Sequence, residues 1–460
     1  MSEILTAPGR EVVVDIREDR GALEWWRAAL SHGGINTHPL PERVRQGIAR
    51  LRPRLIRIFI QEHFAIYPER GQFDWSLLDP YMESLAATGA KVAAAITVKP
   101  TALFPVVDHA RWRPGDVAEW QRVIFELGKR YSVEKPIVSH WEIGNETDIG
   151  EHGGSPFLIP DPDDYFEWYR MTTAPLLRAC PDAKVGGPAA CWVDNEPLPG
   201  LVERCARSGE RLDFISWHLY HDDPRRHALG VEKAKRLLEG FPGPRPEMLV
   251  TEWSKSFDPV SCEELAFSSR RAATITAGAL AMLEAGLDWS CYYHIWDQVF
   301  YPELFAPFFS PAGIEMMVHH WNEAPHRFGM FGVEGEARPH YFAWQMLTLL
   351  GERKVSVQSS DDDLHALAGV DDGAAGAMVV NLNPQRSRDL VVTMRFLGLE
   401  PGRKQLVVYR IDRDQRWCQE SLELLPAERR EVVTRAEFPC QVFCPADSVT
   451  LVTLRHRHRG

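Results

Sequence analysis

The sequence predicts an α/β protein: a (β/α)8 (TIM-type) barrel carrying a β-sandwich at its C-terminal end. Three observations lead there. Strand-like and helix-like segments alternate eight times over the first 350 residues. After Gly351 the texture switches to short strand-like runs between polar turns. Two apolar runs, ending near Glu146 and Glu252, both finish in a carboxylate, at the point where a parallel barrel would turn them into one pocket.

Apolar, β-branched runs mark strands at 11–16, 55–60, 91–98, 140–146, 183–187, 213–218, 248–251 and 287–293. Helices are expected at 40–51, 75–87, 117–131, 164–177, 201–207, 231–238, 265–285 and 339–350. The helical spacing is plain in Leu78, Tyr81, Met82 and Leu85, and again in Trp120, Val123, Ile124 and Leu127. Pro53 stops the first helix. No glycine-rich dinucleotide fingerprint or P-loop follows any strand, which argues against a doubly wound sheet. The barrel is assigned to 11–350 and the sandwich to 351–460, with strands at 354–358, 377–381, 390–396, 405–411 and 448–454. Residues 1–10 are a candidate extra strand for the sandwich.

Composition narrows the function. A net charge of −12 with no long basic run speaks against a nucleic-acid groove. No apolar stretch reaches membrane-spanning length, and the first residues lack a basic, then apolar, leader. The expectation is a cytoplasmic protein with no membrane partner. Eight scattered cysteines, none in a CxxC pair, read as reduced thiols, and the histidines form no HExxH-like set. Neither cofactor nor metal is expected. Fifteen Trp and 21 Phe supply either core or sugar-stacking platforms.

Glu146 and Glu252 lie at the ends of the fourth and seventh expected strands. A retaining glycosidase needs such a pair, one carboxyl to protonate the leaving oxygen and one to attack the anomeric carbon. Asn145 directly precedes Glu146, within reach of a sugar hydroxyl. Glu142 has the strand parity of Glu146 and is expected to partner a buried base such as Arg57.

These residues resemble the clan of retaining (β/α)8 glycosidases. Four stretches are similar to glycoside hydrolase family thirty-nine, which holds β-xylosidases and α-L-iduronidases. They are Phe73-Asp74-Trp75 with Leu78-Asp79; Val185-Gly186-Gly187-Pro188-Ala189; Asp213 through Tyr220; and Phe328-Gly329-Met330-Phe331 leading to Arg338-Pro339-His340-Tyr341. The resemblance implies Glu146 as acid/base and Glu252 as nucleophile. It implies substrate contacts from Asn145, Arg57, His218, Tyr220, Trp253, Tyr293, Trp296 and Asp297, and a glycoside or oligosaccharide substrate, β-xyloside first. Where the family has Trp-Asn-Glu-Pro, this chain has Gly144 and Thr147 in the outer places. The glycine is expected to open the pocket wall, and the loop 147–162 to shape the entrance. The alternatives are another glycone (arabinosidase, galactosidase, glucosidase, glucuronidase) or a non-catalytic carbohydrate-binding barrel.

Overall fold

The computed structural model describes residues 10–257 and 267–456. Eight parallel strands close a barrel: β2 (Leu30–Ser31), β3 (Leu55–Gln61), β4 (Lys91–Thr97), β5 (Val138–Glu142), β6 (Lys184–Ala190), β7 (Phe214–Tyr220), β8 (Glu247–Ser254) and β9 (Trp289–Tyr293). Between the strands run helices such as Leu78–Ala86, Val117–Gly128 and Pro162–Ala179. Two of these begin where an aspartate caps them. Asp116 accepts from the Glu119 N–H, and Asp161, just before Pro162, accepts from the Asp163 and Asp164 N–H groups.

β3 shows how the barrel is built. All seven of its residues are buried because both faces are covered. Ile56, Ile58 and Ile60 point out into the core shared with the helices, while Leu55 and Phe59 belong to clusters inside the barrel. Arg57 shares the inner parity. Ala93 and Ala95 on the neighbouring strand are small enough to leave it room.

One expected strand lies elsewhere. The segment 11–16 belongs to a longer strand, β1 (Arg10–Ala22), which pairs antiparallel with β10 (Arg353–Ser359) and parallel with β13 (Leu390–Leu397) in the C-terminal sheet. The first barrel strand is Leu30–Ser31, only two residues, too short to show any alternation. Val12 and Val14 bury their side chains in the C-terminal core rather than against the barrel. The barrel therefore starts near residue 30, not 11.

The remaining strands are β11 (Leu364–Asp371), β12 (Ala374–Asn381), β14 (Gly402–Ile411), β15 (Trp417–Cys418), β16 (Glu423–Leu424), β17 (Pro426–Thr434), β18 (Glu437–Cys444) and β19 (Ser448–His456). Nine strands form one continuous sheet in the order β17-β14-β19-β12-β11-β10-β1-β13-β18. The end strand β18 folds back over β12 and β19, so that Val392, Met394, Leu406, Val442 and Val452 share a second core. The helix Ser269–Glu284 lies against this sheet, where Arg270 pairs with Asp447 and Glu284 with Lys354. Among the described residues no helix is long and apolar enough to cross a membrane.

Candidate active site

The site occupies the C-terminal mouth of the barrel, in a cavity of about 300 Å³. Glu146 follows β5. A tight turn presents it: Gly144 has φ +92° and Glu146 itself φ +40°, a left-handed conformation that few residues with a β-carbon adopt. The turn is pinned on both sides. The Glu146 N–H donates to the Ala189 carbonyl at 2.9 Å, and its own carbonyl accepts from Ile149 and Gly150. The Val185–Ala189 motif sits here because β6 passes extremely close to its neighbours. A β-carbon at Gly186 would lie 2.2 Å from the Phe214 carbonyl oxygen, and one at Gly187 would lie 2.6 Å from the Tyr165 hydroxyl.

Glu252 is aimed inward by a bulge. Trp217 pairs with Val250, but the next residue, His218, pairs with Glu252, so β8 gains one residue there. The phase of the strand flips. Val250 and Trp253 both face the helices, and Glu252 faces the cavity.

The two carboxylates are close. One oxygen of Glu146, one of Glu252 and a ring nitrogen of His218 all lie within 4.8 Å of one another. Nδ1 of His218 is 2.8 Å from Glu146 Oε1 and 3.8 Å from Glu252 Oε2. Their surroundings differ sharply. Arg57 donates from one terminal nitrogen to Glu252 Oε1 at 2.6 Å, and the Tyr220 hydroxyl donates to Glu252 Oε2 at 2.6 Å. Each carboxylate oxygen of Glu252 thus accepts one short hydrogen bond. Among the described residues no Lys or Arg side chain pairs with Glu146. Burial first, and then the charge of Asp148, push its carboxyl up to about 8. Burial lowers the His218 imidazole, so it is neutral at pH 7. Burial and the adjacent Glu252 raise the Tyr220 and Tyr293 phenols well above their ordinary value, so both keep their protons.

Below this pair lies a layer of positioning groups. Arg57 is fully buried and also donates to Glu142 Oε2 at 2.8 Å and to Asn145 Oδ1 at 2.6 Å. Glu142 is thus the partner of Arg57 that its parity predicts. The Asn145 amide gives one hydrogen to the Gly153 carbonyl at 3.1 Å and keeps its second. Arg57 and His218 are both wholly buried, beneath the substrate space rather than facing it. Tyr220 and Tyr293 do line the cavity.

Three expected substrate contacts are corrected. Trp253 points away from the cavity and packs on His227, Tyr292 and Trp344, because the bulge reverses its side. Trp296 donates to the Val333 carbonyl and stacks near His32. Asp297 is clamped by Arg338 at 2.6 Å and accepts from the Gly329 N–H; against the effect of burial, the Arg338 guanidinium and His294 hold its carboxyl well below the usual range. After β9 the chain forms a backbone ladder with Met330 and Phe331, which turns Trp296 and Asp297 into the structure behind Tyr293. Gly144 and Thr147 do not line the cavity either. They pack on each other behind Glu146, where a β-carbon at Gly144 would lie 2.9 Å from Thr147 Cγ2. The glycine serves the backbone turn and does not open the wall.

Sequence reasoning missed several groups. Asp148 accepts from the Cys191 N–H at 3.1 Å and from Asn195 Nδ2 at 3.0 Å, which holds its charge near Glu146. Gly153 touches the Glu146 side chain so closely that a β-carbon there would lie 1.9 Å from Oε2. The entrance loop, expected to shape the mouth, does so through Ile149, His152, Gly153 and Gly154. It is fixed from two sides. Lys99 Nζ donates to the Asp108 and Pro156 carbonyls, and Glu151 accepts from the N–H and hydroxyl of Ser310. Ser310 caps the helix Pro311–Val318, which brings Met316 and Met317 to the cavity. Phe59, Phe257 and Trp321 complete its aromatic lining. None of these groups carries a local motif. Gly153 lies in a Gly-rich loop that the sequence marks only as an entrance.

Comparison with known proteins agrees with this geometry. The family model for glycosyl hydrolases family 39 matches residues 45–234. A β-xylosidase of Caldicellulosiruptor saccharolyticus is 24% identical over 318 residues, 63% of this chain and 59% of that protein. The chain thus spans less than two thirds of that relative's length. The crystal structure of a monomeric β-xylosidase from Caulobacter crescentus superposes with a TM-score of 0.74 at 20% identity, covering 97% of this chain and 99% of the other. A glucosidase from Croceicoccus marinus does so with a TM-score of 0.75 at 19% identity, covering 98% and 100%. These structures share the barrel and the C-terminal sheet, and the resemblance to family 39 read from the sequence is borne out.

Proposed function

We propose that this relative of the family 39 glycosidases is itself a retaining glycoside hydrolase, acting on short β-linked glycosides by double displacement. One observation carries the reading: two carboxylates within 4.8 Å, one held by Arg57 and Tyr220 and the other buried with no Lys or Arg paired to it among the described residues. Retaining enzymes keep their carboxyls about 5–5.5 Å apart, and inverting enzymes leave about 6.5–9.5 Å for a water. The contrasting surroundings supply the division of labour.

In the first step Glu252 Oε attacks the anomeric carbon as the glycosidic C–O bond breaks. The Glu146 proton passes to the departing oxygen, and the aglycone leaves as an alcohol. Glu252 loses its charge in the glycosyl ester, which removes one nearby anion and lowers the Glu146 pKa. Glu146, now a carboxylate, takes a proton from water as that water attacks the anomeric carbon; the bond from that carbon to Glu252 breaks, and Glu252 is released ionised as the free sugar forms. Arg57 and Tyr220 stabilise the carboxylate at both ends of the cycle, and Tyr293 and Asn145 offer donors toward the sugar.

The β-xylosidase relatives favour a β-xyloside as the glycone. The Glu252→Gly variant tests the reading. Its turnover is expected to vanish, and azide to restore it as a glycosyl azide of inverted configuration. Wild-type activity in that variant on the best substrate of a glycoside panel would overturn the assignment.

A further inference from the structure

Resting on that reading, we infer that the leaving group accepted by this site is an aromatic or aryl-alkyl aglycone rather than a second sugar. Glu146, as proton donor, marks the side where the aglycone departs. The wall beside it is traced by contact. Gly153 abuts the Glu146 side chain, and a β-carbon on the adjacent Gly154 would lie 3.7 Å from Met317 Sδ. Met317 is buried, and Met316 and Ile149 are half-buried on the same cavity surface, together with Cys191. The Cys191 thiol is pushed up to about 12, so it too presents a neutral, weakly polar face.

At the mouth stands Phe257. Half of its surface (51%) is exposed, and its ring lies 4.6 Å from Tyr220 and 5.7 Å from His326, centre to centre. Phe257 carries the apolar lining of the cavity out to its rim, beside the group that holds the nucleophile.

A second pyranose here would bring several hydroxyls. Among the described residues the wall offers them few partners. Gln61 gives one amide hydrogen to the Gly154 carbonyl and keeps its other hydrogen and its Oε1, a single side chain against several hydroxyls, and His152 and His320 sit at the exposed rim. Hydroxyls pressed on Met316, Met317 and Ile149 would lose water and gain no hydrogen bond. An aromatic ring loses nothing there, and thioethers pack well on its face and edge.

The test compares a phenethyl glycoside with a disaccharide of the same glycone, chosen from the panel. The sugar alcohol is the more acidic leaving group of the two, so a higher kcat/KM for the phenethyl glycoside reports binding and not intrinsic reactivity. The phenethyl glycoside is expected to have a kcat/KM about tenfold higher, carried mainly by KM. Met316→Gln, at a half-exposed position that tolerates change, is expected to lower that preference about fivefold. A disaccharide turned over equally well or better overturns the inference and leaves the glycosidase reading standing. A preference unchanged in Met316→Gln overturns the assignment of this wall. No turnover of either substrate on any glycone, with no covalent adduct on Glu252 from a deoxyfluoro glycosyl donor, removes the glycosidase reading and the inference with it.

Discussion

Replacing Gly153 with alanine probes the acid/base without touching it chemically. The new β-carbon would lie 1.9 Å from Glu146 Oε2, 2.6 Å from Glu146 Cβ and 2.9 Å from its Cδ. Ordinary contact starts near 3.4 Å. The side chain must therefore retreat along its length, by ~1.5 Å at its tip and ~0.8 Å at Cβ, or push the loop outward by a similar amount. A misplacement of about 1 Å at a reacting group costs on the order of 100-fold in rate, about 2.7 kcal/mol. The loop has little freedom to absorb it, because Asn145 holds the Gly153 carbonyl and Ser310 holds Glu151. Proton donation matters most when the leaving group is a poor one. We therefore expect kcat/KM in Gly153→Ala to fall about 100-fold for an alkyl glycoside and by less than about fivefold for a dinitrophenyl glycoside, whose phenolate leaves without help. Steady-state kinetics on both substrates, with Tm to show that the fold persists, measures the contrast. Equal losses on the two substrates, or none on either, would refute the placement of Glu146 as the proton donor.

Four other outcomes follow from the same geometry. The kcat/KM of the wild type should fall as pH rises through about 8, where buried Glu146 loses its proton, and Glu146→Gln should lack that limb. Because the folded pKa is raised above the ordinary 4.5, the native state holds an extra proton between those values. This group's share of stability is therefore full below 4.5 and is lost as pH rises toward 8, a slope that denaturant titration of wild type against Glu146→Gln would detect. Tyr220→Phe removes one of the two donors on Glu252, worth about 1.5–3 kcal/mol to a charged acceptor, and should lower kcat/KM about 10- to 100-fold with little change in Tm. Arg57→Ala leaves Glu142 and Glu252 without their buried cation and should cost about 3–5 kcal/mol of stability by chemical denaturation.

What could be read in the sequence was what strong local patterns carry. The run 55–61, apolar at every second place on both faces except for Arg57 and Gln61, announces a doubly covered strand. Glu146 and Glu252 were legible because each ends such a strand and the barrel brings the ends together. Even Glu142 could be assigned, from parity alone. The first barrel strand could not, since Leu30–Ser31 holds no period, and β1 was misplaced because alternation says which side of a strand is apolar but not which core receives it. Trp253 failed for a related reason: a single bulge residue before Glu252 exchanges inside and outside. Met316 and Met317 come from the segment after β9, which the contact between Glu151 and Ser310 ties to the acid/base loop. Contacts of that kind join residues 159 apart and leave no trace in local sequence.

The central claim is that Glu252 forms a bond to the sugar and Glu146 serves both steps. The anomeric configuration of the first-formed product tests it most directly. Proton NMR of a β-glycoside digest, recorded before mutarotation, should show the β-hemiacetal appearing first and the α-anomer growing in only later. An α-anomer appearing first would mean a single displacement by water, and would contradict the account.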